Sequence, residues 1–474
     1  MPTDNIRNDN RTMKMKSVFT GIKMSLLYYV PEMLLMLLVM WLMWFRLGAT
    51  TLNNWDEAWL ASVARDGDWN GEIWFYEPPL VTWELAGIIN MGGVSEFWLR
   101  QFFVICGMLI MVFTYLTTLL ITKDRLAGLL ASLVVISDIE LLFRSRQINT
   151  DVPLTLFLLL ALYAFMRLGK KWWLVGWISW GLAFLTKRAT PLLLVPSVGW
   201  LIWRQRKKID NKLLIAGFGL FLIIVLPWHL FMWWKFKETF VSKYIIGYTI
   251  GKITSVNPTT GGDYWFYVKA LKHAWKFFSL LLPFTGIWML YNWKSWQVRA
   301  TGIFFGTFFA LLTLAPIKAS WYMLPIHPLL AVMMGGFLAG TIRRISNFKY
   351  QITVFLLVCM ITGFQLTHWR EDYIVLDTTA GQAEVARLAG SLTKEGEKIY
   401  LDDDYLPVAV FYSHRKVIPL RFNRLSLERK NLPFMGNDYL LTNLANVTEL
   451  VQFLPDFRRV LSRGDLLLLK VMKE

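Results

Sequence analysis

Eleven long apolar runs limit what this chain can become. They are Leu26–Leu47, Leu99–Ile121, Leu126–Phe143, Val152–Leu168, Trp172–Leu185, Pro191–Trp203, Leu213–Trp234, Phe277–Tyr291, Ile303–Pro316, Trp321–Ile342 and Thr353–Leu366. A helix of about 20 apolar residues crosses the hydrocarbon core of a bilayer, where every backbone polar group must be paired within the segment. Some runs are shorter and borrow flanking residues to reach that length. The chain of 474 residues is 55% hydrophobic, with 24 Trp, 33 Phe and 20 Met. A polytopic α-helical membrane protein follows.

The formal net charge is +17. No nucleic-acid partner is expected, because no basic, aromatic-interleaved motif lies in a soluble segment. The charge instead orients the chain, since cytoplasmic loops of membrane proteins are enriched in Lys and Arg. A cytoplasmic amino terminus puts Arg7, Arg11, Lys14, Lys16 and Lys23 inside. Eleven spans then bring Lys123 and Arg125, Lys170 and Lys171, Arg204 to Lys208, Lys294 and Arg299, and Arg343 and Arg344 to the same face. The expected location is the cell membrane, with the C-terminal part outside. Cys106 and Cys359 fall inside apolar runs, so neither a disulfide framework nor an activated thiol is expected. The first run is too long for a signal-peptide core and lacks a cleavage site, so it reads as a retained span.

Three segments outside the spans are long enough to hold function: Gly48–Trp98, Lys235–Lys276 and the tail 369–474, leaving 1–368 as the membrane domain. The first two are rich in Trp and Tyr and read as short interfacial helices lying on the bilayer. In the tail, "AGQAEVARLAGSL" has helical spacing, whereas "EKIYLDD", "VAVFYS", "YLLTNL" and "FRRVLSRGDLLLLKV" read as short strands. A small α/β or α+β domain outside the membrane is expected.

The densest acidic stretch follows the first span, "NNWDEAWLASVARDGDWNGEIWFYEPPLVTW". Asp56 and Glu57 are placed to act as a general base on an acceptor hydroxyl. Their bland reading is a solvated loop in which Asp56 caps a short helix ending at Gly67. In "YEPPLVTWE" the two prolines fix a turn and start a helix, holding Glu77 and Pro78 as a rigid site wall or as plain punctuation. Arg144, Arg146 and Asp151 stand at the outer end of the third span, where the orientation rule predicts few cations. Lys187, Arg188 and Lys318 repeat that anomaly. Charges at membrane depth are usually paired or functional, although some mark only a helix end. Together these cations form a candidate site for a lipid phosphate, which guanidinium binds through two oxygens. His229 reads as an interfacial histidine, and Asp402–Asp404 as a turn rather than a calcium loop. No metal-ligand spacing or Gly-rich phosphate loop is present, so a divalent metal and soluble nucleotide donors are not expected.

The order of motifs resembles polytopic GT-C glycosyltransferases of the bacterial protein-mannosyltransferase and ArnT-like group. The matching pieces run from about residue 50 to 336: "WDEAWLASVARDGDW", "EPPLVTW", "NTDVPLTLFLLLALYAF", "GLAFLTKRATPLLLVP", "LPWHLFMW", "GGDYWFYV" and "SWYMLPIHPLLAVMMGG". The resemblance implies transfer of a sugar from a polyprenyl-phosphate-linked donor to a lipid, glycan or protein acceptor on the outer face. By the same resemblance, Asp56 looks like the catalytic aspartate and Glu57 its usual neighbour. Asp151 is similar to a second acidic site residue, Lys187 to the "TK" position and Tyr322 to the tyrosine of "Y-x-LP". Trp59, Tyr76, Glu77 and Pro78 would wall the sugar or acceptor site. Where the family often has "KPP" this chain has Glu77-Pro78-Pro79, and Thr260 stands near a position often held by histidine. Arg188 stands where small residues are common and could supply the missing cation. An inverting glycosyltransferase is the reading that results; a transporter or flippase, or a degenerate binding subunit of a glycan-assembly complex, remain the alternatives.

Overall fold

The computed structural model describes residues 29–167, 169–254, 263–374, 377–394, 397–420, 438–450 and 456–472. Arg7, Arg11, Lys14, Lys16, Lys23 and Thr260 lie outside the described residues. A helix stands on each of the eleven apolar runs. Among the described residues, five stretches are long and apolar enough to cross a membrane: Glu96–Thr122, Asn211–Ile250, Trp296–Leu314, Ser320–Arg344 and Phe348–Thr367. Val30–Trp44, Arg125–Ile136 and Asp151–Met166 are shorter apolar helices. The protein is a multi-pass membrane protein.

Several runs are divided, and the sequence supplies the reason. Proline removes a backbone donor, so a tighter turn tends to precede it and a new helix starts at it. The 3-10 turns Thr190–Leu194, Lys276–Leu281 and Ser320–Ile326 each lead into an α-helix with proline in its first turn. The third run breaks without proline, at Ser137-Asp138, into Arg125–Ile136 and Ile139–Arg144. There Asp138 Oδ1 accepts from the Leu141 N–H at 3.2 Å, the N-cap geometry that starts a helix.

One apolar core runs through the membrane layer, and helix Asp151–Met166 is buried on nearly every side. The helices Arg125–Ile136 and His327–Arg344 approach closely because Gly335 lacks a side chain. A Cβ there would lie 2.6 Å from the Ala127 carbonyl oxygen.

The first loop does not simply lie on a bilayer surface. Its Leu52, Ala58, Leu60 and Val81 share a core with Ala386, Val408, Phe411 and Leu441 of the tail. Leu52 N–H donates to Tyr412 Oη at 2.7 Å, and Asn70 exchanges two hydrogen bonds with the backbone of Val417. Burial outweighs the interfacial preference of the loop's aromatics, because the tail offers a dry apolar face. The second loop is mixed: Tyr264 and Trp265 are exposed, but Tyr267 and Trp275 are fully buried.

The tail holds a five-stranded sheet built from β1 (Lys398–Leu401), β2 (Lys416–Pro419), β3 (Tyr439–Asn443), β4 (Phe457–Arg463) and β5 (Leu466–Val471). Its order is β2-β1-β3-β5-β4, with β1 parallel to β2 and β3, and β5 antiparallel to β3 and β4. "VAVFYS", expected as a strand, lies in helix Leu406–Ser413. Pro407 starts that helix and every residue after it is buried, so no periodicity marks it and tertiary burial overrides the strand preference of Val, Phe and Tyr.

Candidate active site

The first loop leaves the membrane layer and turns sharply at Trp55, whose φ of 64° is in the left-handed region. Backbone strain of this kind clusters at functional sites. Helix Asp56–Asp66 follows and ends at Gly67, whose φ of 81° closes it. Asp56 is the first helical residue and not the cap, a correction to the expected capping role; Trp55 holds the cap position with no side-chain bond. Asp56 keeps half its side chain exposed and faces a cavity of about 530 Å³.

Its neighbour Glu57 points the other way. Rotation by about 100° per helical residue turns it into the interior. There its carboxylate takes a two-pronged bond from Arg100, both arms 2.9 Å, and further bonds from the Asn53 and Ile148 N–H groups. Arg100 also donates to the Leu47, Thr50 and Thr51 carbonyls. Glu57 is therefore an anchor between the loop and the membrane helices, and the catalytic role expected for it does not fit its position.

The cavity gathers Asp56, Tyr76, Glu77, Asp151, Lys187, Arg188 and Tyr322. Asp151 starts its helix and Lys187 ends the next, so the hairpin brings them together at 2.5 Å. Arg188 lies 3.2 Å from Glu77, donates to the Tyr76 carbonyl and stacks over the Tyr76 ring at 5.0 Å. Burial, followed by the charge of Glu77, pushes the Tyr76 hydroxyl above its ordinary value. An ammonium has three N–H donors and a guanidinium five, so both cations retain donors for an anion beyond their carboxylate partners. The same cavity is also lined by Leu154, Leu193, Leu311, Leu312 and Leu314.

Of the remaining candidates, Arg144 stands one layer behind, 3.7 Å from Asp56 and 4.1 Å over the Trp321 ring. Trp59 backs Tyr76 with ring centroids 4.9 Å apart, and Pro78 is buried next to Glu77. Arg146 is turned away: it donates to the carbonyls of Leu42, Met43 and Phe45 and caps the helix Val30–Trp44. Helix C-termini leave carbonyls unpaired, which explains this arginine without a phosphate. Lys318 donates to the Ala315 carbonyl at 2.7 Å and is not part of the cavity wall. Sequence reasoning missed Thr150, Thr190, Tyr248, Thr249 and Trp321, all in the wall. Thr150 and Trp321 adjoin residues already singled out; Tyr248 and Thr249 carry no signal beyond the aromatic richness of their loop. Among the described residues, no group of three or more His, Cys, Asp or Glu is placed to hold a metal ion.

The dolichyl-phosphate-mannose-protein mannosyltransferase family profile matches residues 76–233. Two uncharacterised proteins of Aquifex aeolicus are similar at 24% identity over 286 residues and 26% over 320. These matches cover 59% and 64% of this chain, and 56% and 70% of the relatives' own lengths. ArnT from Cupriavidus metallidurans bound to undecaprenyl phosphate superposes with a TM-score of 0.74 at 14% identity, over 92% of this chain and 97% of that one. The Archaeoglobus fulgidus oligosaccharyltransferase in its apo form gives 0.58 at 13% identity, over 88% and 70%. The chain thus has the GT-C fold of polytopic membrane glycosyltransferases. The likeness to both structures is one of fold.

Proposed function

We propose that this protein transfers a sugar from a polyprenyl-phosphate-linked donor to an acceptor at the extracytoplasmic face of the cell membrane, with inversion at the anomeric carbon. The observation that carries this reading is the mixed lining of one cavity: paired carboxylates and cations, Asp151 with Lys187 and Glu77 with Arg188, share it with five leucines. A lipid phosphate ester likewise joins an anionic group to an apolar chain. Lys187 and Arg188 hold the phosphate and stabilise its charge as the sugar–oxygen bond breaks, the step at which fixed cations contribute most. Asp56 takes the proton from the acceptor hydroxyl or amine while that atom attacks the anomeric carbon. The bonding pair of the broken bond leaves with the polyprenyl phosphate. Asp151 orients Lys187, Arg144 orients Asp56, and Tyr76 with Trp59 borders the sugar. The amino terminus lies in the cytoplasm and the tail outside, where acceptors of lipid, glycan or protein type are reached.

The test uses purified protein in lipid nanodiscs with labelled lipid-linked sugars, the donor being chosen by mass spectrometry of lipids that co-purify. Addition of acceptor should release free polyprenyl phosphate, which neither a flippase nor a binding subunit would do. Asp56→Asn should lower transfer on the order of 100-fold or more; near-normal transfer ends the assignment of the base. Arg188→Ala should raise the donor KM about tenfold and leave the acceptor KM unchanged. Equal effects on both would remove Arg188 from the phosphate site.

A further inference from the structure

A buried polar pair outside the cavity is used by none of the roles above. Asp138 Oδ2 and His327 Nδ1 are 2.6 Å apart, with both side chains almost entirely closed to solvent. Two such groups in an apolar core need each other, because either alone would be a buried polar group without its partner.

The two residues sit at the roots of two segments, one in the cavity wall and one a layer behind it. Asp138 caps helix Ile139–Arg144, which carries Arg144 to within 3.7 Å of Asp56. His327 follows the 3-10 turn Ser320–Ile326, which places Trp321 and Tyr322 in the cavity wall. The same two segments also touch nearer the cavity. Glu140 Oε1 accepts from Arg144 Nε at 3.2 Å and lies 3.4 Å from Ser320 Oγ, and the Arg144 guanidinium rests on the Trp321 ring. Ser320 and Trp321 thus meet the short helix through Glu140 and Arg144, and His327 holds its capping residue.

We infer that Asp138 and His327 are positioning residues: their pair locks helix Ile139–Arg144 to the turn Ser320–Ile326 and thereby sets Arg144 against Asp56. The inference rests on the glycosyltransferase reading. A shift of about 1 Å in a supporting group can cost on the order of 100-fold in rate, so a pair remote from the chemistry is able to govern kcat. Because neither residue reaches the cavity, substrate affinities should change little.

The experiment compares His327→Leu, which removes the donor, with His327→Asn, whose amide nitrogen stands where Nδ1 does. Full-length protein in nanodiscs is assayed with the lipid-linked donor, and folding is followed by thermal unfolding. His327→Leu should lower kcat at least about tenfold with both KM values within about twofold, and His327→Asn should restore most of the rate. Should the leucine variant fail to fold, Asp138→Asn decides, since its Oδ1 still caps the helix; it should lower kcat several-fold. Unchanged kcat in a folded variant, equal losses in the leucine and asparagine variants, or a loss confined to donor KM would each overturn the inference. Active wild type with unaffected variants breaks this inference alone, whereas wild type that transfers nothing breaks the functional reading and this inference with it.

Discussion

The cavity has two side walls of different construction. One is the first loop, which presents Asp56 and Glu77. It is anchored below by the buried Glu57–Arg100 pair and packed above into a core shared with the tail. The other is the segment Val241–Ile250, which brings Tyr248 and Thr249 to the cavity. It is a π-helix, a form rare in proteins and frequent at functional sites. It continues a long helix that little protein covers, bent at Lys237, where φ is 42°. Its support is the small cluster of Phe75, Met232, Phe240 and Tyr244, with His229 Nε2 3.1 Å from Tyr244 Oη. The charged groups stand where packing fixes geometry, and the covering aromatic stands where few buried contacts oppose movement.

The largest expected effect tests the fixed wall. Arg100→Met leaves Glu57 as an uncompensated buried charge, which costs about 3–5 kcal/mol. Unfolding in detergent should reveal the loss, and a variant as stable as wild type would show that the pair does not hold the loop. Next, Tyr248→Ala should change KM a few-fold and stability by less than about 1 kcal/mol. If it instead unfolds the protein, the two walls are equally fixed and the contrast fails. The smallest effect concerns pH at the junction of loop and tail. Burial raises the Asp377 carboxyl, but hydrogen bonds from Thr51 and Thr379 outweigh this and hold it below its ordinary 3.8. A carboxyl lowered on folding contributes stability that is complete above its unfolded value and lost as pH falls through the folded one. Hydrogen exchange of the tail should therefore rise in acid, and Asp377→Asn should flatten that acid limb. An acid limb that survives the substitution assigns it to other carboxylates.

Much of the fold was legible in residue order. The apolar runs located the membrane-layer helices, and "EKIYL", "YLLTN" and the final hairpin located four of the five strands among the described residues. The helix at Leu406–Ser413 was not, since a segment buried all round has no period to read. The site was legible by residue type more than by direction. Asp56, Asp151, Lys187, Arg188 and Tyr322 all reach the cavity, whereas Glu57, Arg146 and Lys318, chosen by the same reasoning, are engaged elsewhere.

By itself the sequence determined a helical membrane protein, the order of its segments and the charges that mark their ends, because apolar length and proline act locally. Only tertiary structure decided which of two neighbouring charges serves the cavity, directly as Asp56 does or from one layer behind as Arg144 does. Asp56 and Glu57, or Arg144 and Arg146, differ by one or two steps of about 100° around a helix or its end. Runs that are apolar on every side carry no stripe from which that rotation could be read. The tail's core and the partners of Arg100 and Arg146 supplied the missing direction.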